Sequence, residues 1–400
     1  MDLRTGRPWW LEVNPQGRRF SPLTADVRCD VAVVGAGVTG ALTALALAER
    51  GVHTVVLDRR EAVTGSTAAS TALLMAETDA ELAELARRRG LSQAVRAWRL
   101  GERAIDDLET LDRRLACDAG FERLDTYYLA SDRRAERRLA VEERLRRSVG
   151  FEVERLGAAD LRQVSSFPNP GALRGRGAVV DPIRLTRAAL DAAVRCGASV
   201  HELTPVAAIE DGAADCGLRS TLGPTVHARR VVVAAGYEAA EVLGLRLGRL
   251  RSTYVFATDA LSGPVDGWPD RALVWETARP YLYARWIGTG RLMVGGGDTA
   301  FAGDHRARHR AAARIRRLAR RLARLVPDLD VGIAAAWAGT FGESDDALPC
   351  IGVVPGRPRL RAALGFGGNG ITFAAIASRL LAAELAGERD PDLDLFALDR

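Results

Sequence analysis

Apolar residues along this chain change rhythm several times, and each change marks a different kind of element. Val31 to Val34 and Val52 to Leu57 are short apolar runs of the kind that form fully buried strands, and Ala41 to Arg50 between them reads as a helix. From there to about Arg147 the pattern is helical and rich in Arg, Glu and Leu, broken by one strand-like stretch, FERLDTYYLASD, from Phe121. Thr78 and Glu81 have the spacing of a capping box, which assigns Asp79 to the start of a helix. Gly177 to Asp211 predicts a turn, a helix opened by Pro182, and two strands; VVVAAG, from Val231, is a buried strand ending in Ala235 and Gly236. Beyond Leu250 the runs STYVFATDA, ALVWET, YLYARWIG and RLMVGGG predict short strands separated by Gly and Pro. The chain ends on a glycine run, GFGGNG from Gly365, that opens into an apolar helix. The mix of helices and strands gives the expected class α/β, and 400 residues with 48% hydrophobic content are more than one core usually absorbs, so two lobes, or one large domain with an inserted second one, are expected.

The first strand, helix and second strand enclose Gly35-Ala36-Gly37-Val38-Thr39-Gly40, the pattern G-x-G-x-x-G. In a βαβ unit the three glycines serve the tight turn, the approach of backbone to a pyrophosphate, and close helix–strand packing. Asp58 closes the second strand, where a carboxylate can hold ribose hydroxyls and repel the extra phosphate of NADP; NAD or FAD remains. Ser66, Thr67 and Ser70 follow in a small-residue loop, either as donors to a phosphate or ring edge or as the cap of a helix.

Composition removes several alternatives. All 56 basic residues are arginine, so a pyridoxal-phosphate Schiff base and a Walker-type phosphate loop, both of which need lysine, are excluded. Five scattered cysteines without ligand spacing argue against a metal or a disulfide framework, so no metal site is expected. No long uncharged apolar stretch or signal-like N-terminus occurs, which predicts a soluble, cytoplasmic protein without a membrane span. A net charge of +5 is a weak excess and argues against nucleic acid as the main partner. The densest basic run, from His305, has Ile315, Leu318, Leu322, Leu325 and Val326 at helical spacing, so its arginines form a solvated face, with an anionic partner or membrane surface as the other reading. His305 and His309 read as exposed polar residues rather than ligands.

The order of these parts resembles FAD-dependent oxidoreductases of the D-amino-acid-oxidase (DAO) type, which include glycine and sarcosine oxidases and putrescine-pathway amine oxidases. The residues that carry the resemblance are Gly35 to Gly40 with Asp58, GSTAAS from Gly65, VVDP from Val179, VVVAAG from Val231, DALPCIG from Asp346 and GFGGNGITFA from Gly365. It implies a Rossmann-like FAD-binding domain over 26–80, 150–240 and 331–400, interleaved with a substrate domain on a mostly antiparallel sheet over 81–149 and 241–330, after an extension over 1–25. It implies FAD contacts at Gly35, Ala36, Gly37, Val38, Thr39, Gly40, Asp58, Arg59, Ser66, Thr67, Ala68, Val206, Ala235 and Gly236. The second glycine run, Gly367, Gly368, Asn369 and Gly370 with Ile371 and Thr372, would meet the flavin, its helix N-terminus aimed at charge on the reduced ring.

The implied reaction is hydride transfer from a CH–NH carbon of an amino acid or small amine to flavin, after which the imine hydrolyses. Sarcosine-oxidase-like members tether flavin through a cysteine ahead of the DALP segment; WAGTFGES stands here instead, so FAD is expected to be non-covalent. The oxygen-activating lysine of several such oxidases has no counterpart, leaving O2 or another electron acceptor open. For the substrate, Tyr281 and Tyr283 share a strand face with Arg285, an arginine suited to a carboxylate, the alternative being a solvated arginine with the aromatics packed between lobes; Glu77 is a candidate for a cationic amine. Rival readings are a 2-hydroxy-acid oxidoreductase on the same scaffold, an RNA-modifying flavoprotein, and a subunit of a larger oxidase, so homo- or hetero-oligomers stay open.

Overall fold

The βαβ unit forms as its glycines require. In a computed structural model of the chain, strand Val27–Val34, helix Val38–Ala48 and strand Thr54–Leu57 follow one another, and the two strands pair in parallel from Val31 opposite Thr54 to Val34 opposite Leu57. A Cβ on Gly40 would lie 1.7 Å from the Gly35 carbonyl oxygen, and Gly35 itself has φ 114°, so this turn admits glycine at both positions. The structure describes all residues except 1–3, 16, 213, 246, 247, 262, 264, 289, 302, 303, 328 and 330; the side chains of 240, 241 and 304–309, including His305 and His309, also lie outside the described residues.

Two sheets organise the molecule. The first has eight strands; its main path runs Cys350–Val354, Arg357–Leu364, Thr225–Val233, Val27–Val34, Thr54–Leu57 and Ser199–His201, parallel except for the first pair, and Cys216–Ser220 joins Thr225–Val233 and Val206–Asp211 in antiparallel pairs off that path. Its buried strands read as continuous Val and Ala because helices cover them. Helix Pro182–Arg195, capped by Asp181 with Pro182 in its first turn as predicted, and helix Gly370–Leu385 both pack on helix Val38–Ala48. The C-terminal glycine run is thereby carried back beside the N-terminal one.

The second sheet has ten strands. Its main path is Arg4–Gly6, Ile333–Glu343, Arg249–Thr258, Arg291–Ala300, Leu282–Ile287, Leu273–Glu276, Glu122–Leu129, Gly171–Val179 and Leu73–Leu74, with Glu154–Gly157 on Gly171–Val179. Pairing is antiparallel except between Leu273–Glu276 and Glu122–Leu129. The four strands predicted beyond Leu250 are all present.

Sheet membership cuts across the expected domain boundaries. Strands 73–74, 154–157, 171–179 and 333–343 fall in segments expected in the nucleotide-binding half yet complete the ten-stranded ladder. Conversely, helix Leu91–Leu115 turns Ala94, Ala97, Trp98, Ile105 and Leu108 into the same core as helix Val38–Ala48. The N-terminal segment is built in as well: Trp10 is buried and its indole donates to the Ser70 carbonyl at 2.7 Å.

Candidate active site

A cavity of about 920 Å³ is lined by both sheets and by both glycine runs. That volume is near the top of the usual range for ligand sites, about 300–1,000 Å³. At the nucleotide-motif end it is lined by Gly35, Gly37, Val38, Thr39, Asp58, Arg59, Ser66, Thr67, Val206, Ala235 and Gly236; at the other end by Gly367, Gly368, Asn369, Gly370 and Ile371. Glu77 and Tyr283 are there too, whereas Ala36, Gly40, Ala68, Thr372 and Arg285 do not line it.

The nucleotide end is preorganised by its own backbone. Asp58 accepts from the N–H groups of Ala36, at 2.7 Å, and Arg60, at 2.8 Å, which fixes the carboxylate at the mouth of the glycine turn. Burial raises its pKa, and these two N–H donors and the Arg60 charge oppose that rise. Thr67 Oγ1 accepts from Val38 N–H at 3.0 Å, tying the small-residue loop to the start of the helix. Glu238, just after Gly236, pairs with Arg59 and Arg60 and so organises the cationic side of the mouth. No motif in the sequence marks Glu238 for this role.

Segment 69–72 is clamped by side chains from far away. Trp337 Nε1 donates to Ala69 O at 3.0 Å and Trp10 Nε1 to Ser70 O. Arg285 donates to the carbonyls of Thr71 at 3.1 Å, Ala72 at 2.7 Å, Val180 at 3.1 Å and Trp286 at 3.0 Å. The expectation that Arg285 holds a substrate carboxylate is therefore corrected: its guanidinium is 4% exposed and spent on backbone carbonyls. Burial pulls its pKa down to about 9, which leaves it charged at neutral pH.

The C-terminal glycine loop is joined to the segment after the first unit. Gly368 N–H donates to Asp79 Oδ2 at 2.7 Å, and Asn369 Nδ2 donates to the Glu77 carbonyl at 2.6 Å. The capping-box reading of Asp79 is corrected by this contact. The helix it was assigned to, Leu82–Arg89, has its first N–H groups met instead by Glu142, at 2.7 Å from Leu82 N and 3.0 Å from Ala83 N. Asp79 lies deep in the cleft while its carboxylate faces the open cavity; burial, with Glu343 and Asp298 nearby, pushes its pKa up to about 6 against the Gly368 hydrogen bond and Arg279.

Glu77 lines the cavity, but one carboxylate oxygen accepts from Arg146 at 3.2 Å and Arg146 is held in turn by Glu142 at 2.8 Å. Arg146 offsets the Glu77 charge from behind, but the second carboxylate oxygen of Glu77 is buried without a partner among the described residues, and burial raises its pKa. Tyr281 and Tyr283 line the same end as predicted, with ring centroids 5.8 Å apart, and Tyr283 reaches Thr253 Oγ1 at 3.3 Å. Asp298 stands with them, its pKa raised by burial against hydrogen bonding from Thr253 and Tyr281. Arg279 stacks over Tyr281 at 4.9 Å.

Two hydroxyls test whether an elongated nucleotide cofactor suits these walls. Ser66 Oγ, on the cavity wall, and Thr372 Oγ1, one residue past the wall at Ile371, are buried and have no partner among the described residues, and buried hydroxyls ordinarily find one. No side chain caps the helix Gly370–Leu385, because Asn369 is engaged with Glu77. The donors at both ends thus match a long ligand with acceptors along it. Among the described residues no cysteine lines the cavity and no cluster suited to a metal ion occurs.

Comparison with known proteins agrees in kind. Residues 30–384 match the family model described as FAD dependent oxidoreductase, DAO. The chain is 28% identical to glycine oxidase of Geobacillus kaustophilus (strain HTA426) over 404 residues, covering 93% of this chain and 97% of that one. It is 25% identical to gamma-glutamylputrescine oxidoreductase of Escherichia coli (strain K12) over 389 residues, 94% of this chain and 88% of the other. The crystal structure of glycine oxidase from Geobacillus kaustophilus superimposes with a TM-score of 0.78 at 26% identity, over 94% of this chain and 99% of that one.

Proposed function

The chain belongs to the DAO family of FAD-dependent oxidoreductases, and from that premise we propose that it oxidises the carbon–nitrogen bond of an amino acid in the cytoplasm, with FAD held non-covalently. Bound FAD supplies the acceptor for a hydride leaving the substrate carbon. Gly37, Asp58, Ser66 and Thr67 suit its nucleotide end, and Gly367 to Thr372 suit the ring. Five free cysteines are compatible with a reducing compartment, and among the described residues no helix is long and apolar enough to cross a membrane.

Arg279 carries the amino-acid reading. Of the arginines lining the cavity, Arg59 and Arg60 pair with Glu238, Arg146 with Glu77 and Glu142, and Arg251 with Glu343. Arg279 has no hydrogen bond or close ion pair among the described residues; it stacks on the Tyr281 ring, and its charge opposes the pKa rise of Asp79 and Asp298. A substrate carboxylate would complete it with paired charge-assisted hydrogen bonds. Asp79 and Asp298, in the same cavity, would attract the substrate ammonium and take up its proton, so that the neutral amine lies toward the ring. Tyr281 and Tyr283 wall this end and keep water from it. The imine leaves and is hydrolysed, and O2 or another acceptor removes the electrons.

A 2-hydroxy acid would satisfy Arg279 but would bring no ammonium to Asp79 and Asp298. The deciding experiment is anaerobic titration of the flavin-loaded enzyme with amino acids, small amines and 2-hydroxy acids. Bleaching by amino acids supports the reading; bleaching by hydroxy acids alone overturns it. Arg279→Ala should raise KM for amino acids about tenfold or more, and an unchanged KM would remove the carboxylate assignment.

A further inference from the structure

We propose that the arginine face of helix Asp304–Leu325 docks this enzyme on an anionic lipid bilayer. Between His305 and Pro327 there are nine arginines and no acidic residue, so the positive excess of the chain is concentrated here and the remainder is slightly acidic. Ile315, Leu318, Leu322 and Leu325 are buried, fixing the helix on the ten-stranded sheet, and the opposite side carries Arg310, Arg316, Arg317, Arg320 and Arg324 in solvent. None of these five side chains has a hydrogen bond or ion pair among the described residues. Exposed arginines such as Arg133, Arg137 and Arg144 also lack a partner among the described residues, but their helix carries Glu136, Glu142 and Glu143, whereas this one has no acid after Asp304.

The residues between those arginines are small. Ala312, Ala313 and Ala323 are exposed, and no aromatic ring stands among them to stack on a base. No large apolar side chain is presented for insertion either, so the contact is one of guanidinium with phosphate over a broad band, from Arg310 to Arg324 roughly 21 Å long at 1.5 Å per residue. Such a band of guanidinium groups separated by alanine, with no Asn, Gln or aromatic side chain to read or stack on a base, suits an extended anionic surface. The cytoplasmic leaflet presents that kind of negative surface. The same helix is tied to the cavity wall: Arg321 donates to Pro280 O at 2.7 Å and pairs with Glu276, and Pro280 lines the cavity between Arg279 and Tyr281. A bilayer on this face therefore lies near the redox cavity, where lipid-soluble electron acceptors are at hand. This inference stands apart from the choice of substrate.

The test is co-sedimentation of the flavin-loaded protein with vesicles of about 30 mol% phosphatidylglycerol in phosphatidylcholine, against phosphatidylcholine alone. The expected result is binding at least about tenfold tighter to the anionic vesicles at about 0.1 M salt, and release by about 0.5 M. The combined change Arg316→Glu, Arg317→Glu and Arg320→Glu should abolish binding while the visible flavin spectrum is kept. The lipid and salt comparisons need no variant and stand even if that protein fails to fold. Equal binding to both vesicles, no binding, or retention on a double-stranded RNA with no vesicle binding overturns the proposal, as does a folded triple variant that still binds.

Discussion

Asp79 puts a carboxylate where charge is costly. With its folded-state pKa at about 6, above the ordinary value near 4, it binds a proton more tightly in the native state than in the unfolded one. Its contribution to stability is therefore best in acid and is lost as pH rises through that window. Asp79→Asn, which keeps an acceptor for Gly368 N–H, should melt at a higher temperature than the parent at pH 7 without cofactor. The gap should close below about pH 4, where the parent side chain is neutral in both states; thermal melts across pH check it. Arg285 gives the opposite kind of result. Arg285→Met strips four carbonyls of their donor and should cost about 3 kcal/mol or more in urea unfolding, with little change in KM for the variant that folds. Why did these two mislead a reading of the sequence? Both sit in locally persuasive contexts: Asp79 between Thr78 and Glu81, and Arg285 in step with two tyrosines that do line the cavity. What decides each is a partner remote in sequence, Gly368 for one and Thr71, Ala72 and Val180 for the other.

Elements whose rhythm is local were legible. The βαβ unit, the Pro182 helix, the four strands after Leu250 and the terminal glycine run with its helix all stand where apolar spacing and turn residues put them. What spacing does not carry is which neighbour an apolar stripe faces. Helix Leu91–Leu115 has a clear stripe, yet only tertiary packing joins it to the core that helix Val38–Ala48 shares with part of the ten-stranded sheet. The start of helix Leu82–Arg89 teaches the same lesson, since its cap arrives from Glu142 on helix Arg133–Ser148. Glu142 is 1% exposed and also holds Arg146. Glu142→Ala should therefore cost about 3 kcal/mol in chemical denaturation, well above the loss of an exposed cap.

For the molecule as a whole, the cofactor is a structural member. On the proposed reading its site draws walls from both sheets and both glycine runs, so FAD would bind the folded protein and not the unfolded chain. At about 100 times its Kd, FAD should add about 2.7 kcal/mol, and stripping it should lower Tm accordingly, with the shift growing logarithmically as FAD is added back. A Tm indifferent to FAD would mean the cavity is not its site. The ladder between Arg4–Gly6 and Ile333–Glu343 has a consequence for synthesis on the ribosome. The opening residues must wait, unpaired, until more than three hundred others have emerged, and helix Val38–Ala48 must wait longer for Gly370–Leu385. Nascent chains interrupted before that point carry an open strand edge and an uncovered apolar helix, so premature termination should yield aggregates for the proteolytic machinery instead of a smaller working enzyme.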